Sequence, residues 1–216
     1  MKKFYMTLDT ETCNTLDDPL VYDLGGVIHD KKGNVVETFS FVIDEIFNGE
    51  KELMKDAYFA EFIPQYEEDI KNGTREVVSF YEAKKRIRKL CRKYMVRAII
   101  AHNARFDYKA LTTTQRYLTK SKYRWFLPWL VPLWDTMRMA ESCLLPKKSY
   151  REFCEQNGYI TKRHKPRLTA EVIYQYMTQN TEFAEEHKGL QDALIEKDIF
   201  AYCMAQKVKL RKRCFN

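Results

Sequence analysis

The amino-acid sequence predicts an α/β fold, a mixed β-sheet flanked by helices. Two observations carry the prediction. Extended apolar runs fill the first 42 residues, two of them joined by a short polar connection that contains a glycine. Further along, a buried-type strand sits between two helical patterns. Strands first, then strands alternating with helices, give a sheet with both pairing senses and helices packed on it.

Taken in order, Phe4-Tyr5-Met6-Thr7-Leu8 is a short run of strand formers. Val21–Ile28 and Val35–Val42 follow, and His29-Asp30-Lys31-Lys32-Gly33-Asn34 between them makes a hairpin connection. A helix is predicted over about 80–95: Ile87, Leu90, Cys91 and Tyr94 fall at i, i+3, i+4 and i+7, one apolar stripe on a basic helix. Val96–Ala101 reads as a buried strand and 105–118 as a helix. After an irregular aromatic stretch with Trp125, Phe126, Trp129, Trp134, Pro128 and Pro132, helices are predicted near 149–157, 168–178 and 190–209. No repeat, linker or low-complexity tract interrupts the chain, so 1–216 reads as a single domain.

Composition narrows the function classes. With 45% hydrophobic and 14% aromatic residues the chain can bury a sizeable core, which excludes disorder as its main state. No apolar run approaches the roughly 18–20 residues of a membrane span. The segment before Asp9 is too short for a secretory signal, so an intracellular, cytoplasmic protein with no membrane partner is expected. The six cysteines (13, 91, 143, 154, 203 and 214) show no Cys-x-x-Cys spacing, and read as reduced, buried thiols. Thirty-seven basic against 30 acidic residues leave a formal charge of +7, which suits a polyanionic partner. Eight Lys or Arg lie in 84–97, and the tail is basic as well. Each run reads equally as a solvated face or a phosphate-binding one.

Three segments carry chemistry. In Leu8-Asp9-Thr10-Glu11-Thr12 the side chains alternate, so Asp9 and Glu11 share a face at the end of a strand, where a loop is expected to begin. Two crowded carboxylates repel, and a hard divalent cation offsets the repulsion; oxygen ligands suit Mg²⁺ or Mn²⁺. In Ala101-His102-Asn103-Ala104-Arg105-Phe106-Asp107 the chain leaves a strand and opens a helix, which sets Asp107 near a helix start. Asn103 is a candidate cap there. In His187-Lys188-Gly189-Leu190-Gln191-Asp192 a continuous helix would hold positions five apart about 140° out of register. His187 is therefore placed in a loop, Gly189 at a bend, and Asp192 in the first turn of the last helix.

Asp-x-Glu, then His-Asn-x-x-Phe-Asp, then His-x₄-Asp, in this order over residues 9 to 192, resemble the DEDDh exonucleases, the DnaQ-like 3′→5′ family. The resemblance implies a ribonuclease-H-like fold with a five-stranded mixed sheet, two divalent ions (Mg²⁺ or Mn²⁺), and release of nucleoside 5′-monophosphates from a free 3′ end. Residue by residue it implies that Asp9 bridges both ions, Glu11 and Asp192 help hold the one that binds the attacking water, and Asp107 supports the second. His187 takes the proton. Ser149–Asp192 looks most like the small exonucleases of phages and their hosts.

The family's Asp-x-Glu-Thr-Thr-Gly stands here as Asp9-Thr10-Glu11-Thr12-Cys13-Asn14. Losing the Gly implies a bulkier loop around the terminal nucleotide, with Thr12 still offering its backbone or hydroxyl. Asn103 and Phe106 complete the candidate substrate contacts, although Phe106 also reads as a core ring. Trp125, Phe126 and Trp129 among Lys120, Lys122 and Arg124 suit stacking on unpaired bases, and equally a packed flap. Asp135 and Glu196 are further acids in plausible reach, and both read as structural. Single-stranded nucleic acid is the expected partner, DNA favoured over RNA, with a polymerase or replisome beside it in replication proofreading, repair or recombination. The alternatives are a 3′ exoribonuclease or oligoribonuclease, and a catalytically silent nucleic-acid-binding subunit.

Overall fold

A computed structural model describes residues 3–57, 59–120 and 125–214. In chain order the elements are β1 (Phe4–Cys13), β2 (Leu20–Asp30), β3 (Val35–Ile43), α1 (Asp44–Phe47), α2 (Lys51–Lys55), α3 (Ile63–Lys71), β4 (Glu76–Val78), α4 (Phe80–Lys93), β5 (Ile99–Ala101), α5 (Ala104–Thr119), β6 (Leu133–Asp135), α6 (Thr136–Cys143), α7 (Lys148–Gln156), α8 (Ala170–Thr178) and α9 (Gly189–Ala205). The sheet is mixed, in the order β4-β3-β2-β1-β5-β6. β1, β2 and β3 pair antiparallel, while β4, β5 and β6 join in parallel.

The expected five strands are thus six. Four of them are read directly in the sequence; the other two, β4 and β6, have three residues each, too few to show the alternation by which a strand is read. β1 also runs five residues past its apolar run, because the whole of it pairs with β2: Asp9 stands opposite Gly25 and Glu11 opposite Asp23. The loop expected at Asp9 begins only after Cys13. A bulge between Glu11 and Thr12 re-aims the strand there. The last helix stops at Ala205 rather than near 209, and the basic tail folds back so that Arg213 meets Glu141 of α6 at 2.5 Å.

Alternation sends neighbouring side chains to opposite faces of the sheet. Met6, Leu8, Ile99 and Ala101 join one core with Phe80, Ile87, Ala110 and Leu111 of α4 and α5. Tyr5 and Ile100 join the other, with Met139, Tyr150, Ile173, Ile199 and Phe200 of α6 to α9. α9 is buried on several sides, which is why its sequence lacks a polar face. All six cysteines are buried and free, as expected. Among the described residues no helix is long and apolar enough to cross a membrane.

Candidate active site

Asp9 and Glu11 continue the face of Tyr5 and Thr7, so they look toward α9. α9 can approach because two glycines meet: a Cβ on Gly25 would lie 1.9 Å from the Leu190 backbone nitrogen, and one on Gly189 would lie 2.7 Å from that of Gly25. Gly189 therefore serves close approach, not the bend expected of it. The bend is made by His187, whose φ of 51° is left-handed. His187 lies in the loop before α9 and Asp192 in its first turn.

Asp107 arrives from the other side. It sits in the first turn of α5, which starts three residues after β5 ends, and is only 3% exposed. Thr10, on the opposite face of β1 from Asp9, donates its hydroxyl to Asp107 Oδ1 at 2.8 Å. Asp135 ends β6, accepts from the backbone N–H groups of Asn103 and Arg138 at 3.2 Å each, and caps α6, the structural role expected of it.

Asp9, Glu11, Asp107 and Asp192 line one cleft of about 620 Å³ with Thr10, His102, Asn103, Phe106, Glu185, His187 and Glu196. Glu11, His187 and Asp192 can each offer a ligand atom with all three atoms within 4.8 Å of one another. Asn103 takes the N-cap position of α5 in a left-handed conformation, but its side chain makes no cap bond and faces the cleft. Phe106 is half-buried on the cleft wall and is not a core ring. Thr12 is not brought there: it stands beyond the bulge, opposite Val21, away from the cleft lining. The aromatic stretch divides. Phe126 is core, whereas Trp125 and Trp129 are exposed with rings 4.4 Å apart; Lys122 and Arg124 lie outside the described residues.

Glu196, read from the sequence as a structural acid in plausible reach, lies one turn after Asp192 on the same side of α9, is 3% exposed, and lines the cleft. The i, i+4 spacing from Asp192 is the signal that puts it within reach, although no motif marks it. The cleft thus collects six carboxylates, with Arg167 the one lysine or arginine among its lining residues. Burial, then mutual repulsion, raises them. Glu11 is pushed up to about 9, Asp192 to about 8, and Asp9 and Glu196 well above the ordinary carboxylate range. Burial holds Asp107 at about 7 against the lowering bond from Thr10. His187 is lowered by burial, so its ring is neutral near pH 7. It stacks on Phe59 with centroids 3.8 Å apart.

The donor set fits divalent cations. Asp192 Oδ1 and Glu196 Oε2 are buried without a hydrogen-bond partner, a costly state that an ion relieves. Carboxylate oxygens in this number suit a hard divalent ion.

No protein-family model and no curated protein sequence matches the chain. Solved structures do. Escherichia coli exonuclease I in complex with a 5cy-dT13 oligonucleotide aligns over 94% of this chain at 14% identity and a TM-score of 0.53. Its complex with a dT13 oligonucleotide gives 15% identity over 95%, again at 0.53. Cell-death related nuclease 4 (CRN-4) aligns over 97% at 11% identity and 0.55. The fold is that of these exonucleases, ribonuclease-H-like. The chain spans 42% of the length of exonuclease I and 66% of CRN-4.

Proposed function

We propose that this chain is a single-domain, divalent-metal-dependent 3′→5′ exonuclease that hydrolyses single-stranded DNA from its 3′ end. It would release nucleoside 5′-monophosphates and act in replication proofreading, repair or recombination. The observation that carries the reading is the convergence of Asp9, Glu11, Asp107 and Asp192 on one cleft from both faces of the sheet, with His187 beside them. The fold shared with exonuclease I and CRN-4 supports it.

A six-carboxylate cleft repels a phosphodiester, so polyanion chemistry there requires cations. Asp9, Glu11, Asp192 and Asp107 would hold Mg²⁺ or Mn²⁺. Held there, such ions would supply an activated water and charge stabilisation for an in-line displacement at phosphorus. His187, neutral and stacked on Phe59, would accept a proton at the ring nitrogen that lies near Glu11 and Asp192. Asn103 and Phe106 form the wall where the terminal nucleotide rests, one with a free amide and the other with a ring face. In the two exonuclease I complexes the bound molecule is a thymidine oligonucleotide, which favours DNA as the polymer tested first.

The test offers 5′-labelled single-stranded DNA and RNA of one sequence with Mg²⁺, Mn²⁺ or EDTA. Stepwise shortening that EDTA stops, faster on DNA, is expected. Faster RNA shortening would make the protein an exoribonuclease, and retarded but intact DNA would make it a silent binding subunit.

A further inference from the structure

Between α7 and α8 the chain makes a small hairpin that the exonuclease reading leaves without a role. Ile160 bridges Pro166 in antiparallel fashion, and the Thr161 N–H donates to the Lys165 carbonyl at 2.8 Å. The tip is closed twice more: the His164 N–H donates to the Thr161 carbonyl at 2.8 Å, and the Lys165 N–H to Thr161 Oγ1 at 3.1 Å. The base is tied down as well. The Arg167 N–H donates to the Tyr159 carbonyl, the buried Tyr150 hydroxyl donates to the Arg167 carbonyl at 2.6 Å, and His102 Nε2 lies 2.6 Å from the Leu168 carbonyl. This is a preorganised element, tied to Tyr150 of α7 and to His102, the residue that follows β5.

It carries Lys162, Arg163, Lys165 and Arg167, all exposed. Among the described residues, none of the four has an acidic side chain within ion-pair distance. On α4, Lys85, Arg86 and Lys93 are paired with acids, and its remaining basic residues, Lys84, Arg88, Lys89 and Arg92, do not line the acidic cleft. The position decides its use. Thr161, Arg167, Leu168 and Thr169 form part of the wall of the acidic cleft itself. Four cations without acidic partners thus stand at the rim of a cleft lined by six carboxylates. A fixed array of cations at such a rim focuses attraction on a polyanion whose end must enter the cleft.

We propose that the Ile160–Arg167 hairpin is a phosphate track that binds the single strand on the 5′ side of the cleaved bond. The proposal rests on the nucleic-acid reading of the cleft and adds where the rest of the polymer lies. Cations placed on a rigid turn lose little freedom when phosphates dock, and each phosphate contact releases counterions. The track reads charge and not sequence, so it serves any single strand. An acidic protein segment is the competing occupant.

The experiment compares the parent chain with Lys162→Ala/Arg163→Ala/Lys165→Ala. These side chains are exposed, and a circular-dichroism melt checks the fold. Binding of an oligothymidylate of about 20 nucleotides is measured by anisotropy in EDTA at several salt concentrations. Removing three phosphate contacts should flatten the slope of log K against log salt by about 2. In Mg²⁺ or Mn²⁺, the preference of the parent for that oligonucleotide over a thymidine dinucleotide, as a ratio of kcat/KM, should collapse at least tenfold. A variant that keeps both the slope and the length preference overturns the proposal and points to a protein partner. If the parent degrades neither substrate with either metal, it is the nuclease reading that fails. Should the variant not fold, a strand carrying a photoreactive base about four nucleotides from its 3′ end is crosslinked to the parent. The adduct is expected within 160–167, and an adduct elsewhere overturns the track.

Discussion

His187 holds a left-handed backbone that costs a residue with a Cβ about 1–2 kcal/mol. Strain of this kind survives where the surroundings over-determine it. Here the ring is clamped on Phe59, and the next residues are pinned by Asp23, whose Oδ2 accepts from the Gly189 N–H at 3.0 Å and from the Tyr66 hydroxyl at 2.8 Å. Buried Arg75 holds the same oxygen at 2.6 Å. The imidazole is thus presented in one place, lowered by burial so that its neutral, proton-accepting form dominates above its own pKa. Rate should therefore climb with pH through that lowered value and level off. His187→Ala should cost roughly 100-fold in kcat with a small change in KM, the scale of a lost general base. The acid limb of its pH–rate profile should flatten, and an unchanged limb would assign the proton elsewhere. The acids behave differently. Asp9→Asn should remove about three orders of magnitude of rate, roughly 4 kcal/mol. Glu196→Gln keeps shape but not charge. If Glu196 shares the cations, Mn²⁺ binding followed by calorimetry should weaken about tenfold or more, while the metal-free protein melts higher because one repelling carboxylate is gone.

At the level of elements, the site depends on how closely α9 lies on β1 and β2. Gly25 fixes that distance, since a Cβ there would sit 1.9 Å from backbone that cannot move without carrying Asp192 with it. Gly25→Ala should cost about 2–3 kcal/mol by overpacking, lowering Tm by roughly 4–12 °C in a chain of this size. Metal affinity should fall alongside, because the Asp192 carboxylate retreats from Glu11; a calorimetric melt and a Mn²⁺ titration read the two. The sequence showed β2, β3, α4, α5, α7 and α8 to within a few residues, because each carries its own periodicity or cap, such as Ser79 and Thr169 accepting from the third residue beyond. It also showed Asp9 and Glu11 on one face, since alternation is local. It did not show α1 to α3 between Asp44 and Lys71, short helices in an acidic stretch whose placement comes from packing: Ile46, Met54 and Tyr66 enter the core one at a time. Nor did it show Phe59, Asp23 or Arg75, which reach His187 and Gly189 only through tertiary contact.

On the scale of the whole molecule, a chain of net charge +7 has concentrated six of its carboxylates in one buried cleft, and this arrangement should be measurable as a linkage between pH, cations and stability. Unfolded, these acids ionise near about 4. Folded and free of metal, Asp107 is held at about 7, Asp192 at about 8 and Glu11 at about 9, by burial first. Between those limits the folded state retains protons that the unfolded state has released. Stability follows the difference in bound protons, unfolded minus folded, which is negative here, so it must fall as pH rises from about 4.5 toward about 9. In EDTA, the calorimetric Tm is expected to decline steadily over that range. Divalent cations act in the opposite sense, because they bind the ionised acids and compete with protons for them. Near pH 5 a Mg²⁺ or Mn²⁺ addition should move Tm little. Near pH 8, at about a hundred times the dissociation constant, it should add about 2.7 kcal/mol, or roughly 5–10 °C. Asp192→Asn removes one titrating acid and one ligand together, so its EDTA slope should be shallower and its metal gain smaller. A Tm in EDTA that rises through pH 8, or a metal gain equal at both ends of the range, would mean that these carboxylates do not repel one another in a common cleft. The cation site would then have to be sought away from Asp9, Glu11 and Asp192.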